Sequence, residues 1–194
     1  AFIDTWLASF LISGSISYLY YANRVFQLPL AIFAIATSIA LFPMIAKAIK
    51  NKDENRALHL MKKSSLILFA VLSTSMLIGI VFNEFIVKLL FERGAFNSVD
   101  TQNTALILTM YLMGLLPFGL AKIFSLWLYA NEQQYLSAKI SMKSLAWNIV
   151  FSLILIKPYG AAGLAFASTL SGFILFFLTI KAFGFNKFIT MYKK

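Results

Sequence analysis

The sequence contains no cysteine, which excludes a disulfide framework, a thiol nucleophile and a cysteine-based metal centre. It has a single histidine, His59, placed in a polar stretch beside Lys62 and Lys63, so zinc chemistry is not expected. No GxxxxGK loop, HExxH pair or exposed Ser/His/Asp arrangement occurs, which argues against ATP hydrolysis, peptidase work and enzymatic activity in general. No cofactor is required by these residues, and any energetic coupling would draw on an ion gradient, sodium among the possible coupling ions, or on the membrane potential. Charge is scarce: of 194 residues only 12% are charged, 17 basic against 7 acidic.

What replaces charge is apolar side chain. The chain is 60% hydrophobic with strongly positive mean hydropathy, which excludes both a soluble globular domain and a disordered one. The net charge of +10 does not indicate nucleic acid, because the basic residues cluster at the ends of apolar runs instead of lining one aqueous face. The expected fold class is all-α, a polytopic transmembrane bundle of about six crossing helices. The chain starts at Ala1 with no basic stretch ahead of its first apolar run, and it reads as a piece of a longer protein without a signal peptide.

The organising stretch is 15–46. From Val25 to Ala46 about 22 residues pass without a charge, enough to cross a hydrocarbon core of roughly 30 Å. Tyr18, Tyr20 and Tyr21 form an interfacial aromatic cluster at its entry, and Pro29 and Pro43 are expected to kink it. One membrane lobe over 1–194 is expected, with helices at 1–13, 16–48, 64–91, 102–130, 139–157 and 161–183, the first truncated. Residues 47–63 read as a polar, partly helical loop. Residues 84–96 read as an amphipathic piece in the interface, and Lys157-Pro158-Tyr159-Gly160 as a turn.

Lys and Arg count twelve on one side of this arrangement and three on the other, so the richer side, with the C-terminus, is assigned to the cytoplasm. Topology leaves two cations unexplained. Lys122 lies nine residues from Asn131, about 13 Å deep, and Arg24 six residues past Tyr18, about 9 Å from the outer face. Without acids in their own helices they suggest a wet cavity that receives an anion. A snorkelling Arg24 and a structural ion pair for Lys122 are the plainer alternatives. A second set, Asp4, Asn148 and Ser168, shares a depth of about 12 to 14 Å from the outer side, with Ser152 one turn from Asn148. A carboxylate, an amide oxygen and hydroxyls suit a small hard cation or a proton relay. Ordinary interhelical hydrogen bonding is the alternative.

The carriers of a family resemblance are IDTWLASFL, GSISYLYYANRVFQLPLAIF with the downstream LFP, LLFERGAF followed by Asp100-Thr101, MGLLPFGLAKIF followed by LYA, and PYGAAGLAFAS. With these, the chain resembles the MurJ (MviN) lipid II flippases of the MOP exporter superfamily over essentially its whole length. The resemblance implies a fragment of the C-terminal half, one lobe of a two-lobe transporter whose cationic cavity takes a lipid-linked diphosphate sugar by alternating access. It implies that Arg24 and Lys122 bind substrate, and that Asp4, Asn148 and Ser168 match a sodium site found in some members. Ser152 departs from the sodium-binding form, where that position can be an acid. The partners implied are lipid II, membrane lipids and the missing N-terminal lobe, with no nucleic acid, in the bacterial inner membrane. Another MOP exporter, for polysaccharide repeats or drugs, and a non-transporting scaffold are the alternatives; a drug exporter for cations would favour acids over Arg24 and Lys122.

Overall fold

The computed structural model describes residues 7–9, 11 and 14–193. Among them there is no strand, and four continuous helices are long and apolar enough to cross a membrane. The first helix, α1 (Ser15–Pro29), starts behind Gly14, whose φ of 94° is a left-handed conformation that glycine adopts freely. Pro29 has no N–H and its ring crowds the carbonyl one turn back, and directly after it the ladder widens into a π-helical segment, Leu30–Ile35. The chain then resumes as α2 (Ala36–Lys50), where Pro43 is accommodated without a change of register.

The stretch expected as a loop at 47–63 is instead two helix ends joined by a turn at residues 51–53. The Asp53 carboxylate accepts the Arg56 N–H at 3.0 Å and so starts α3 (Glu54–Val81) ten residues ahead of the expected boundary. Phe82 breaks the expected 64–91 helix, and α4 (Asn83–Phe91) follows, with Val87 buried and Phe85 and Leu89 exposed. Helix α5 (Ser98–Leu112) begins with a reciprocal cap: the Asn97 side chain accepts from the Val99 and Asp100 N–H groups, and Asp100 accepts the Asn97 N–H. This moves its start four residues ahead of the expected 102. Pro117 deprives the Met113 carbonyl of its helical donor, and the chain steps at Met113-Gly114 into α6 (Leu115–Ala130).

Helix α7 (Gln134–Phe183) is nominally continuous but turns at Gly160 (φ 54°, ψ −131°), where the turn was expected. Its two legs run antiparallel. The Ser144 hydroxyl donates to the Ser171 carbonyl at 2.8 Å, and the Asn148 amide donates to Ser168 at 3.2 Å, so partners recede evenly from the turn. Close to the turn, a Cβ at Gly163 would strike the Leu155 carbonyl. With α7 folded in two, the described residues make five crossings. Residues 1–13, the expected first helix, lie mostly outside the described ones; of them Leu7 and Ala8 are buried.

Helix α6 is central, packed against α7, α3, α2 and the π segment. Its Leu115, Ile123, Phe124 and Leu128 are fully buried with Leu72 of α3 and Leu108 of α5. Small residues set the approach distances, as in other membrane bundles: a Cβ at Gly119 would strike Leu72, and one at Gly79 would come within 2.8 Å of Leu112. The outside is apolar as well, with Ile32, Ile39, Leu77 and Val81 among the exposed residues, as expected where the bilayer is the solvent. The basic tail forms a further short helix, α8 (Phe185–Lys193), bent back from α7 at Gly184. Tyr192 of α8 meets Ser65 of α3 at 2.6 Å between hydroxyl oxygens, and burial pushes the Tyr192 phenol up, so it stays neutral.

A cationic face and a hydroxyl-lined hairpin

Helix α1 turns Leu19, Ala22 and Phe26 inward, Phe26 stacking on Tyr111 with centroids 5.6 Å apart. The helical period therefore puts Tyr20, Arg24 and Gln27 outward, and all three are exposed. Arg24 is held on this face by its own helix. Its Nη2 donates to the Tyr20 hydroxyl at 3.0 Å, and its guanidinium carbon lies 4.7 Å from the Tyr20 ring centroid. The side chains of Asn23 and Gln27 hydrogen-bond to each other beside it. The guanidinium thus reaches back one turn toward the helix entry, a direction that a snorkelling arginine also takes.

Lys122 stands out more sharply. Between Leu115 and Leu128 it is the only exposed residue, all others being buried or half-buried. Neither Arg24 nor Lys122 has an ion-pair partner among the described residues. Of the seven acids, four are engaged elsewhere: Glu54 by Lys187 at 2.6 Å, Glu92 by Lys88 at 3.8 Å and by Thr101, Asp100 by Tyr18, and Asp53 at its helix cap; Glu84 and Glu132 are exposed, and Asp4 lies outside the described residues. A cation left without an acid on a mid-helix face can bind an anionic ligand without breaking any internal pair.

The second expected set divides. Asp4 lies outside the described residues. Asn148 and Ser168, on opposite legs of α7, are brought together by their 3.2 Å hydrogen bond. Ser152 is fully buried one turn from Asn148, and its hydroxyl has no hydrogen-bond partner among the described residues. Such an orphaned buried hydroxyl is uncommon and marks a place where a further ligand would be welcome. Asn148, Ser152 and Ser168 supply oxygen atoms of the type that small hard cations take. Among the described residues no group of three or more His, Asp or Glu side chains converges.

A third arrangement could not be read from the sequence. The Tyr18 hydroxyl donates to Asp100 at 2.6 Å across 82 residues of chain, and Tyr21 packs on Phe91 and Phe96 with centroids 4.6 and 5.5 Å apart. The interfacial tyrosines and the LLFERGAF segment are therefore one clamp at the outer end of α1 and α5. The only signal for it was that both stretches belong to the family resemblance.

Fold and site together define a multi-pass, helical membrane protein with two exposed cations, Arg24 and Lys122, that no acid among the described residues pairs. A family model described as "MurJ: Lipid II flippase MurJ" matches residues 1–193, and the chain belongs to that family. Among its relatives, a probable lipid II flippase MurJ from Helicobacter pylori strain J99 is 54% identical over 193 residues, covering 100% of this chain and 42% of the relative. One from Rhizobium meliloti is 35% identical over 162 residues, covering 83% of this chain and 30% of the relative. Among solved structures, a lipid II flippase MurJ in an inward closed conformation superposes with a TM-score of 0.82 at 27% identity, over 98% of this chain and 42% of that one. The chain thus spans about two fifths of the length of the first of these relatives and of the structural neighbour.

Proposed function

We propose that the chain is one lobe of a lipid II flippase of the bacterial cytoplasmic membrane. The flippase would carry the undecaprenyl-diphosphate-linked sugar-peptide of peptidoglycan synthesis from the cytoplasmic to the outer leaflet. The observation that carries the proposal is that the exposed cations Arg24 and Lys122 have no acid partner among the described residues of a largely apolar bundle. A diphosphate is the complementary ligand. The planar guanidinium of Arg24 can hold two phosphate oxygens at once, and Lys122 adds a point charge in a medium of low dielectric constant. No bond is made or broken in this work, so it is transport and not catalysis. Alternating access requires a second body, and the missing N-terminal lobe of the longer protein is that partner.

Sodium as a coupling ion belongs to the same proposal. Asp4, Asn148 and Ser168 would hold it, with Ser152 contributing its orphaned hydroxyl. The test is the melting temperature of the full-length protein in sodium against choline at equal ionic strength: a rise in sodium that Asp4→Asn abolishes supports the ion, and no rise removes it. For substrate, photo-crosslinkers placed at Arg24 and at Lys122 of the full-length protein in cells are expected to capture lipid II. One at the exposed, outward Ile39 is not. Equal capture at all three positions would contradict a dedicated cationic cavity.

A further inference from the structure

A cavity of about 520 Å³ opens on the lysine-rich side of the lobe, away from Arg24 and from the hydroxyl-lined hairpin, between α3 and α8. Asn55, Leu58, His59 and Lys62 line it from one face of α3, and Thr190 and Met191 close it from α8. Three features give it a chemical character.

The first is charge. The lining contains no acid, and the neighbouring acids are engaged: Glu54 is bound to the Lys187 ammonium at 2.6 Å, and Asp53 caps α3. Lys62 has no ion-pair partner among the described residues. The second is depth. Lys62 and Lys63 are the last charges before α3 runs uncharged from Ser64 to Val81. Lys62 therefore marks the edge of the hydrocarbon, and His59 and Asn55 rise about 4.5 and 10 Å beyond it, into the headgroup layer. The third is a graded wall: Met191, buried, and Leu58, half-buried, make an apolar floor beneath the polar rim.

The wall on the α8 side is fixed in place. Lys187 binds Glu54 and lies 4.1 Å over the Trp127 ring, Phe188 packs edge-on against Phe124 at 5.4 Å, and Tyr192 meets Ser65. On the same helix Phe185 and Ile189 are exposed, one turn apart, as in a helix lying in a membrane interface.

We propose that this cavity binds the phosphate headgroup of an anionic phospholipid from the adjacent leaflet, with Lys62 and His59 at the phosphate and the acyl chains leaving over Leu58 and Met191. Basic pockets between helices at this membrane face bind such headgroups by the same chemistry. The site is independent of the transported substrate.

The test uses purified full-length protein in neutral detergent, titrated with phosphatidylglycerol, with phosphatidylcholine or with inorganic phosphate, and followed by melting temperature and by native mass spectrometry. Phosphatidylglycerol is expected to raise the melting temperature and to be retained as a bound lipid. Lys62→Gln should weaken that binding roughly fivefold, the contribution of one surface cation near a membrane. Lys63→Gln, exposed and one position round the helix, should leave it nearly unchanged and controls for bulk charge. Unaltered binding in Lys62→Gln, an equal loss in Lys63→Gln, or equal stabilisation by inorganic phosphate or phosphatidylcholine would each overturn the proposal. Should Lys62→Gln express poorly, Thr190→Val, which keeps the charge and narrows the polar rim, is expected to weaken phosphatidylglycerol binding as well; unchanged binding there would count against the site.

Discussion

The α7 hairpin and the two exposed cations, Arg24 of α1 and Lys122 of α6, treat polar groups in opposite ways. Inside the hairpin and where it meets α5, polar side chains are paired within the lobe: Ser144 with the Ser171 carbonyl, Asn148 with Ser168, and Thr169 with the Met110 carbonyl at 2.5 Å. Of the cations, Arg24 is steadied by Tyr20, and neither it nor Lys122 has an acid among the described residues. In an apolar solvent the first pattern is structural, because each pair removes the cost of a lone polar group. The second pattern leaves charge available for a ligand. Two buried hydroxyls have no partner among the described residues, Ser152 in the hairpin and Thr104 in α5, and Ser152 is the one beside Asn148.

The comparison can be broken by substitution, and the largest effects are expected at the cations. Lys122→Met in the full-length protein should abolish complementation of a flippase-depleted strain at equal expression, with binding of lipid II reduced about 10- to 100-fold if one charge-assisted hydrogen bond is lost. Full complementation would return Lys122 to a structural role. Next in size is Gly114→Val. A Cβ there would stand 2.9 Å from the Thr169 hydroxyl and crowd the step between α5 and α6, at a cost of about 1 to 3 kcal/mol. Thermal unfolding should show the loss, and an unchanged melting temperature would mean that the helices separate there at little cost.

Smaller still is Tyr18→Phe, which removes the 2.6 Å bond to Asp100 and should cost about 1 kcal/mol, read as faster hydrogen exchange at the first turns of α1 and α5. Exchange unchanged at both ends would show the outer clamp to rest on Tyr21 and its rings alone. The smallest effect sharpens the comparison most. Ser152→Ala deletes a hydroxyl that has no partner, so in sodium-free buffer it should be neutral or slightly stabilising. Destabilisation without sodium would show that the hydroxyl is paired in the membrane.

Much of this arrangement is legible along the chain because bilayers impose simple rules on sequence. The apolar runs, the turn at Gly160 and the two cations that topology could not absorb are all visible without a structure. Helix ends were less legible: Asp53 and Asn97 lengthened α3 and α5 past the expected bounds, since capping acts through side-chain geometry that hydropathy does not register. The widening after Pro29 into a π segment was hidden for a related reason, as proline announces a perturbed ladder but not which register repairs it. The tail was read as basic residues alone, whereas its Phe188 and Tyr192 dock it on the lobe. Pairings such as Tyr18 with Asp100, or Ser144 with Ser171, depend on which helix faces which, and a single sequence in a uniformly apolar bundle carries little record of that.

The central claim, that the exposed cations serve a ligand and the hairpin serves the fold, is tested most directly by one paired measurement on the full-length protein: lipid II affinity and melting temperature in Arg24→Lys and in Ser144→Ala. The account predicts that Arg24→Lys loses affinity at least about tenfold with an unchanged melting temperature, because ammonium keeps the charge but not the two-oxygen grip. Ser144→Ala should melt earlier, by about 1 kcal/mol of lost pairing, with affinity unchanged. An Arg24→Lys protein that binds lipid II normally, or that melts as early as Ser144→Ala, would contradict it.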